Sequence, residues 1–285
     1  MHFNLRAGRL ADAEAGGLIC YEAFKTISGQ HNFPPDFPSS EVACSLFSSL
    51  LSRPDVYSVV AESEGRIVGS NFLWEDAAIA GIGPLTIAPD VQNSALGRRL
   101  MEDVLARARQ KRFAGVRLVQ AAYHNRSLAL YAKLGFDVRE PLANLQGPAL
   151  RLDIPGYTVR SAQAEDENAC NRLCQNVHGH DRGQELRQAI QQGTATIVEH
   201  AGRITGYATL IGFLGHAVGK SNEDLKALIG AAEAFAGPGF LLPTRNGELF
   251  RWCLQHGLRV VQPMTLMSFG LYTQPSGAFL PSILF

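Results

Sequence analysis

The residues that could do chemistry gather between Ala78 and Phe136. An apolar run, AIAGIGPLTIAP, passes through a polar turn, DVQNSALG, into the amphipathic stretch RRLMEDVLARARQK. A second apolar run, Val116 to Ala122, precedes a short helix that ends in ALYAKLGF. Where a strand feeds a helix through a tight turn, the first backbone N–H groups of the helix lack partners inside it and point out together. The helix dipole adds partial positive charge there. Such a terminus binds phosphate with no side chain committed to it. The turn here is Gln92, Asn93, Ser94, Ala95, Leu96 and Gly97, with Arg98 and Arg99 directly after it. Cations suit the first turn of a helix poorly, so the pair points to an anion held nearby; a solvated basic helix start is the plain alternative.

These residues resemble the GNAT (Gcn5-related) N-acetyltransferases. The family's loop reads Gln or Arg, two residues, Gly, one residue, then Gly or Ala; here Ala95 stands at the first glycine. Alanine resists positive φ, so it fits this place if the residue already has helical angles. Further landmarks follow in order: Pro89 after the strand, Asn125 after the next strand, and Tyr131 in LYAKLGF. The resemblance implies acetyl-coenzyme A as cosubstrate, with no metal, and an amine as acceptor. It implies that the backbone of Leu85, Thr86 and Ile87 meets the pantetheine arm, that Gln92 through Arg98 wrap the pyrophosphate, and that Asn125 bonds the arm. Tyr131 would be the acid that protonates the departing thiolate, since a phenol and a thiol have similar pKa values. A helix tyrosine packed with its hydroxyl capped is the alternative. For a general base, Glu75 and Asp76 are the nearest carboxylates in sequence, with His31 further off; solvated surface groups are the alternative for each, with water serving instead.

These groups need a frame. Residues 3 to 7 read as a strand, and Asp12 as the N-cap of a helix through about Phe24. The loop SGQHNFPPDFPSS, with three prolines, excludes regular structure. A helix from Ser40 to Ser52 follows, with Val42, Leu46 and Leu50 as its apolar stripe. VYSVVAES and RIVGSNFLW read as a hairpin turning at Glu64-Gly65. The resemblance makes the proline loop one wall of the acceptor site, with Gln30, His31, Phe33 and Phe37 as contacts; an ordinary surface loop is the alternative. Gly81, Gly83 and Pro84 interrupt the strand before the anion turn, which reads as a bulge or an edge. Leu96, Leu100, Val104 and Ala108 line one face of the helix after it.

DVREPLANL and ALRLDI read as strands that finish a first domain, residues 1–154, with Pro155-Gly156 as the hinge. Residues 155–285 look like a shortened copy. NLRAGRLADAEA is echoed by TVRSAQAEDENA, VAESEGRIVG by VEHAGRITG, and ALYAKLGF by RWCLQHGL. The copy lacks the glutamine-to-glycine spacing, and Cys253 takes the tyrosine's place. GHAVGKS only superficially suggests a P-loop, because three residues rather than four separate its glycines. The expected architecture is therefore α/β (α+β): two GNAT-like domains, each a mixed, mostly antiparallel twisted sheet flanked by helices, the second degenerate.

Twenty-six basic residues balance 26 acidic ones in a chain of 285, which argues against nucleic acid or an anionic membrane as partner. Five scattered cysteines fit buried thiols in a reducing, cytoplasmic setting. The apolar tail, FGLYTQPSGAFLPSILF, should not stay in water; packing on the first domain or on a neighbouring subunit in a homodimer would cover it. The leading expectation is acetyl transfer to a primary amine, small molecule or peptide, by direct attack in a ternary complex. An acyl-CoA sensor without turnover and an assembly protein are the alternatives.

Overall fold

The computed structural model describes residues 2–75 and 77–284. By its contacts the chain forms two compact units. One runs to Leu118 and includes Tyr123–Asp137; the other takes Val119–Ala122 and everything from Val138 on.

The first unit contains strands β1 (Asn4–Ala7), β2 (Val56–Ser63), β3 (Arg66–Trp74), β4 (Ile79–Ile82), β5 (Thr86–Ile87) and the start of β6 (Gly115–Ala121). Its helices are α1 (Ala13–Gln30), α2 (Ser40–Ser52), α3 (Leu96–Gln110) and α4 (Asn125–Lys133). The strand order is β1-β2-β3-β4-β6, with β5 paired to β3. All pairs are antiparallel except β4 with β6. The β2–β3 hairpin turns at Glu64-Gly65, both at positive φ (51° and 77°), as the right-handed twist of such a pair requires.

The start of α1 is fixed by a carboxylate. Asp12 accepts the Arg9 backbone N–H at 2.7 Å and the Arg6 guanidinium at 2.8 Å, while Arg6 also reaches Glu62 on β2. The helix then runs on to Gln30, so Ser28, Gly29 and Gln30 belong to it and not to the proline loop. A Cβ at Gly17 would lie 2.5 Å from the Cα of Cys44, so only glycine permits this approach of α1 to α2. That contact turns Ala43, Phe47 and Leu50 inward and leaves Val42 45% exposed, correcting the stripe expected for α2. Phe47 meets Phe72 edge-on at 5.1 Å in a cluster with Cys20, Leu50 and Val56.

The second unit holds β7 (Asp137–Gln146), β8 (Tyr157–Ser161), β9 (Thr196–His200), β10 (Arg203–Ala208), β11 (Ala217–Gly219), β12 (Phe240–Pro243), β13 (Arg259–Gly270) and β14 (Ala278–Leu280). Its helices are α5 (Glu167–His178), α6 (Gly183–Gln191), α7 (Asn222–Ala231) and α8 (Gly247–Gln255). Five strands form a sheet in the order β14-β11-β10-β9-β8, and β13, β7 and β12 lie side by side. ALRLDI is no strand: Arg151 sits at φ 52°, and the Leu152 N–H bonds the Gly230 carbonyl of α7.

The internal copy is visible atom by atom. Arg160 grips Asp166 at 2.7 Å and Glu199 at 2.9 Å, and Asp166 accepts the Gln163 N–H, as Arg6, Asp12, Glu62 and Arg9 do in the first unit. The apolar tail finds partners within its own unit, as β14 paired antiparallel to β11 with Phe279 and Leu280 buried. Among the described residues no helix is long and apolar enough to cross a membrane.

Candidate active site

The interrupted strand is a bulge that parts it from its neighbour. Both β4 and β5 pair with β3, but Leu73 faces Ile82 while Ser70 faces Thr86, so one extra residue is inserted between them. The irregularity falls on Gly83, at φ 131°, whose N–H bonds the Phe72 carbonyl and whose carbonyl accepts the Trp74 indole at 3.0 Å. Beyond Gly81, opposite Arg117, the parallel pairing with β6 stops, and among the described residues β5 pairs with β3 alone. The Ala88 N–H points at β3, onto the Val68 carbonyl. Backbone groups alternate along a strand, so those of Thr86 also face β3, and those of Leu85 and Ile87 face the opposite way. The Thr86 side chain is taken up by the Ser70 hydroxyl at 2.8 Å.

The chain then makes a tight turn into α3. Ser94 donates to the Val91 carbonyl at 2.6 Å, and the Gln92 amide reaches back to the Ile87 carbonyl at 3.4 Å. Asn93 and Ala95 both sit at positive φ, 68° and 61°, so Ala95 is left-handed and not helical as its replacement of glycine suggested. An alanine in that region costs about 1–2 kcal/mol. Ala95→Gly should unfold at a denaturant midpoint no lower than the parent's. Ala95→Val should lose about 1–2 kcal/mol, because a β-branched residue at positive φ is strained further.

Helix α3 begins with no side-chain cap and no acidic residue in its first turn, which leaves its N–H groups and positive dipole end for an anion. Leu96, Leu100, Val104 and Ala108 are buried, as their spacing predicts, and Gly97 is buried beside Leu96. The cation at the turn is Arg126 of α4, which donates to the Asn93 side-chain oxygen at 2.9 Å and to that of Gln92 at 3.0 Å. Sequence reasoning missed it; its only signal was a place next to Asn125. Arg98 instead faces Glu102 one turn along, and Arg99 donates to the Phe3 carbonyl.

In α4 the N-cap is His124, whose Nδ1 accepts the Ser127 N–H at 3.2 Å. Burial, then the charge of Arg126, lowers its pKa, so the ring is neutral near pH 7 with its proton on Nε2. Asn125 is exposed in the first turn. Tyr131 is buried beside Phe136, and burial pushes its phenol up to about 12 against the opposing effect of the Ser127 side chain. It therefore stays a proton donor across the neutral range.

The other expected residues divide. His31 follows α1, and Phe33 stacks on Tyr123 at 4.3 Å with the planes 9° apart, His31 lying 5.3 Å from the same ring. Phe37 turns instead into the apolar cluster, edge-on to Phe24 at 5.8 Å. Glu75 is no free base: Arg107 holds its carboxylate at 2.6 and 3.0 Å. Arg107 lies eleven residues into α3, about 16 Å along its axis from the anion turn. Asp76 lies outside the described residues.

The second unit repeats the frame and fills the anion position. Asn246 caps α8 by accepting the Leu249 N–H, as His124 caps α4. At the start of α7, however, the Asp224 carboxylate takes both the Ser221 N–H at 2.8 Å and its hydroxyl at 2.9 Å, with Glu223 in the same turn. The dipole of α7 already has its negative charge. A short buried strand, β11, precedes that helix.

Residues 23–136 match the model of the Acetyltransferase (GNAT) family. That stretch is similar to the family's domain, and the fold of the whole chain is like that of a tandem GNAT protein. An IAA acetyltransferase of Azospirillum brasilense is 31% identical over 94 residues, 32% of this chain and 61% of that protein, so the match spans less than two thirds of this curated relative. A putative acetyltransferase from Pyrococcus horikoshii superposes with a TM-score of 0.74 at 18% identity, covering 97% of this chain and 94% of that one. A tandem GNAT protein from the clavulanic acid biosynthesis pathway does so with a TM-score of 0.56 at 16% identity, over 99% and 100% of the two chains. At these identities the structural likeness is one of fold.

Proposed function

We propose that the chain moves an acetyl group from acetyl-CoA to a primary amine by direct attack in a ternary complex. The observation that carries this reading is the start of α3, with neither cap nor carboxylate, bridged by Arg126 and following a strand whose outer backbone groups face away from β3. The N–H groups of α3, the turn from Gln92 to Gly97 and Arg126 would hold the pyrophosphate. The backbone of Leu85 and Ile87 would take the pantetheine amides as a strand takes its neighbour, with Asn125 beside them. Acetyl-CoA supplies the activated acyl group as a thioester. Tyr131 keeps its proton on the phenol oxygen until the thiolate leaves, and then gives it to the sulfur. Glu75, bound to Arg107, is not the base of this scheme, in which water takes the amine proton. The burial of Tyr131 favours one alternative, a protein that binds acetyl-CoA without turnover.

Calorimetric titration with acetyl-CoA tests the reading. We expect one micromolar site per chain, weakened at least tenfold by Arg126→Glu, a change of about 1.4 kcal/mol, and changed less than threefold by Arg98→Glu. Two sites would mean that α7 also accepts the pyrophosphate, and no binding would overturn the proposal.

A further inference from the structure

GHAVGKS forms no phosphate loop, yet its lysine reaches a cavity. Gly219 is held in the sheet, facing Gly206 on β10 and Ala278 on β14, and the Lys220 N–H bonds the Thr205 carbonyl. That backbone is committed to its neighbours, so it cannot cradle an anion as a P-loop does. The side chains take another course. Lys220, Ser221 and Asn222 line a cavity of about 360 Å³ together with Arg245 and Asn246, and the tail closes it from Gly277 on. The volume suits a small molecule.

The walls are fixed before any ligand arrives. The tail is tied down by its pairing with β11 and by the bond from the Ser276 N–H to the Val177 carbonyl. The Nε of Arg245 donates to both oxygens of Glu140, at 2.8 and 2.6 Å, and Glu140 is wholly buried. The guanidinium is thus held by one edge, and its two terminal nitrogens remain as a fork. Lys220 is exposed and has no side-chain partner among the described residues. Asn246 gives one amide hydrogen to Asn222 at 2.8 Å, and Asn222 gives one to Glu248 at 2.9 Å, so each keeps a second. The nearby carboxylates are engaged: Asp224 by Ser221, Glu140 by Arg245, and Glu248 by Asn222 and Lys226. Among the described residues that line the cavity, two are cations and none is an acid.

We infer that this cavity binds a phosphate group, free or as the monoester of a small polar molecule. The Arg245 fork takes two of its oxygens, Lys220 meets the second charge, and the amides of Asn222 and Asn246 bond what remains. Two cations match the nearly two negative charges that a phosphate monoester carries at pH 7, where a carboxylate brings one. The site uses no residue of the acetyl-transfer reading and stands apart from it.

Calorimetric titration with glycerol 3-phosphate, inorganic phosphate and glycerate tests the inference. Glycerol 3-phosphate should bind about tenfold more tightly than glycerate, which has a similar body and one charge. Lys220→Gln, which has no partner to lose and so keeps its fold, should raise the Kd for glycerol 3-phosphate about tenfold. Arg245→Lys, which leaves a cation on Glu140 and removes the fork, should raise it about as much. Arg126→Glu, at the anion turn of α3, should leave it nearly unchanged. A monoester that binds more tightly than inorganic phosphate supports an organic ligand, and equal affinity supports free phosphate. No heat from the parent, or a Kd indifferent to Lys220→Gln, would overturn the inference. So would binding lost in Arg126→Glu alone, which would put the phosphate at α3. Should Arg245→Lys melt at a lower temperature than the parent, Lys220→Gln decides by itself.

Discussion

Tyr131→Phe is expected to lower kcat about 100-fold, the lower end of what a positioned acid contributes, with the Kd for acetyl-CoA unchanged. The substitution keeps the ring against Phe136 and removes only the proton and the bond to Ser127. Because burial holds the phenol near 12, its protonated form persists to high pH. The parent's pH–rate profile should therefore rise as the acceptor amine loses its proton, with no falling limb from Tyr131 below about pH 10. A variant whose kcat stays within twofold of the parent would make Tyr131 a packed helix tyrosine and favour the binding protein over the enzyme. Thermal melts of both proteins separate a lost acid from a loosened helix.

Glu185→Ala should cost about 3–5 kcal/mol in stability, the usual loss when one member of a buried charged cluster is removed. Glu185, on the first turn of α6, has Arg182 at 2.7 Å, His216 Nδ1 at 2.9 Å and the Thr209 hydroxyl at 2.9 Å. His216 Nε2 continues the chain to the Tyr207 hydroxyl at 2.9 Å. Burial alone would raise the Glu185 pKa, but Arg182 and then His216 overcome it and bring it well below the ordinary carboxylate range. Burial, then Arg182, lowers the pKa of His216, so it is neutral in the fold. Both folded values lie below their unfolded ones, so both effects have one sign: stability is full above about pH 6.5 and falls with acidification. His216 contributes first, as the unfolded imidazole charges, and Glu185 next, below the unfolded carboxylate pKa and down through its folded value. Denaturation midpoints measured from pH 7 to pH 3 should show this decline, and Glu185→Gln should flatten its acidic part. An unchanged curve would mean that the cluster carries no linked protons.

Local features were legible where a short stretch decides the matter. The hairpin at Glu64-Gly65 and the bounds of α2 follow from turn chemistry and composition. The buried face of α2 did not, because Val42, Leu46 and Phe47 offer apolar groups on several sides and the approach of Gly17 selects among them. ALRLDI alternates like a strand, yet its backbone bonds go to α7, which no window of residues can reveal. The anion turn was legible from its place between a strand and a helix, and Tyr131 only through the family resemblance. Arg126 was missed and the ion pair of Glu75 unforeseen because their partners, Asn93 and Arg107, lie more than thirty residues away. The cluster around Glu185 was invisible for the same reason: its members come from α6, β10 and the residues just before β11. Cys20 and Cys174 each lie eight residues after the aspartate that their unit's arginine grips, yet Cys20 sits among Phe47 and Phe72 and Cys174 beside Tyr207.

The strand β7 lies before Pro155 in sequence, yet its neighbours are β12, with Leu145 facing Phe240, and β13. The end of β6 leans the same way, since the Ala122 N–H bonds the Pro263 carbonyl. A gene broken at the hinge would thus encode a front fragment stripped of two strands it needs, and recombination could not trade the two copies as cassettes. Each copy is bound to the other's inheritance.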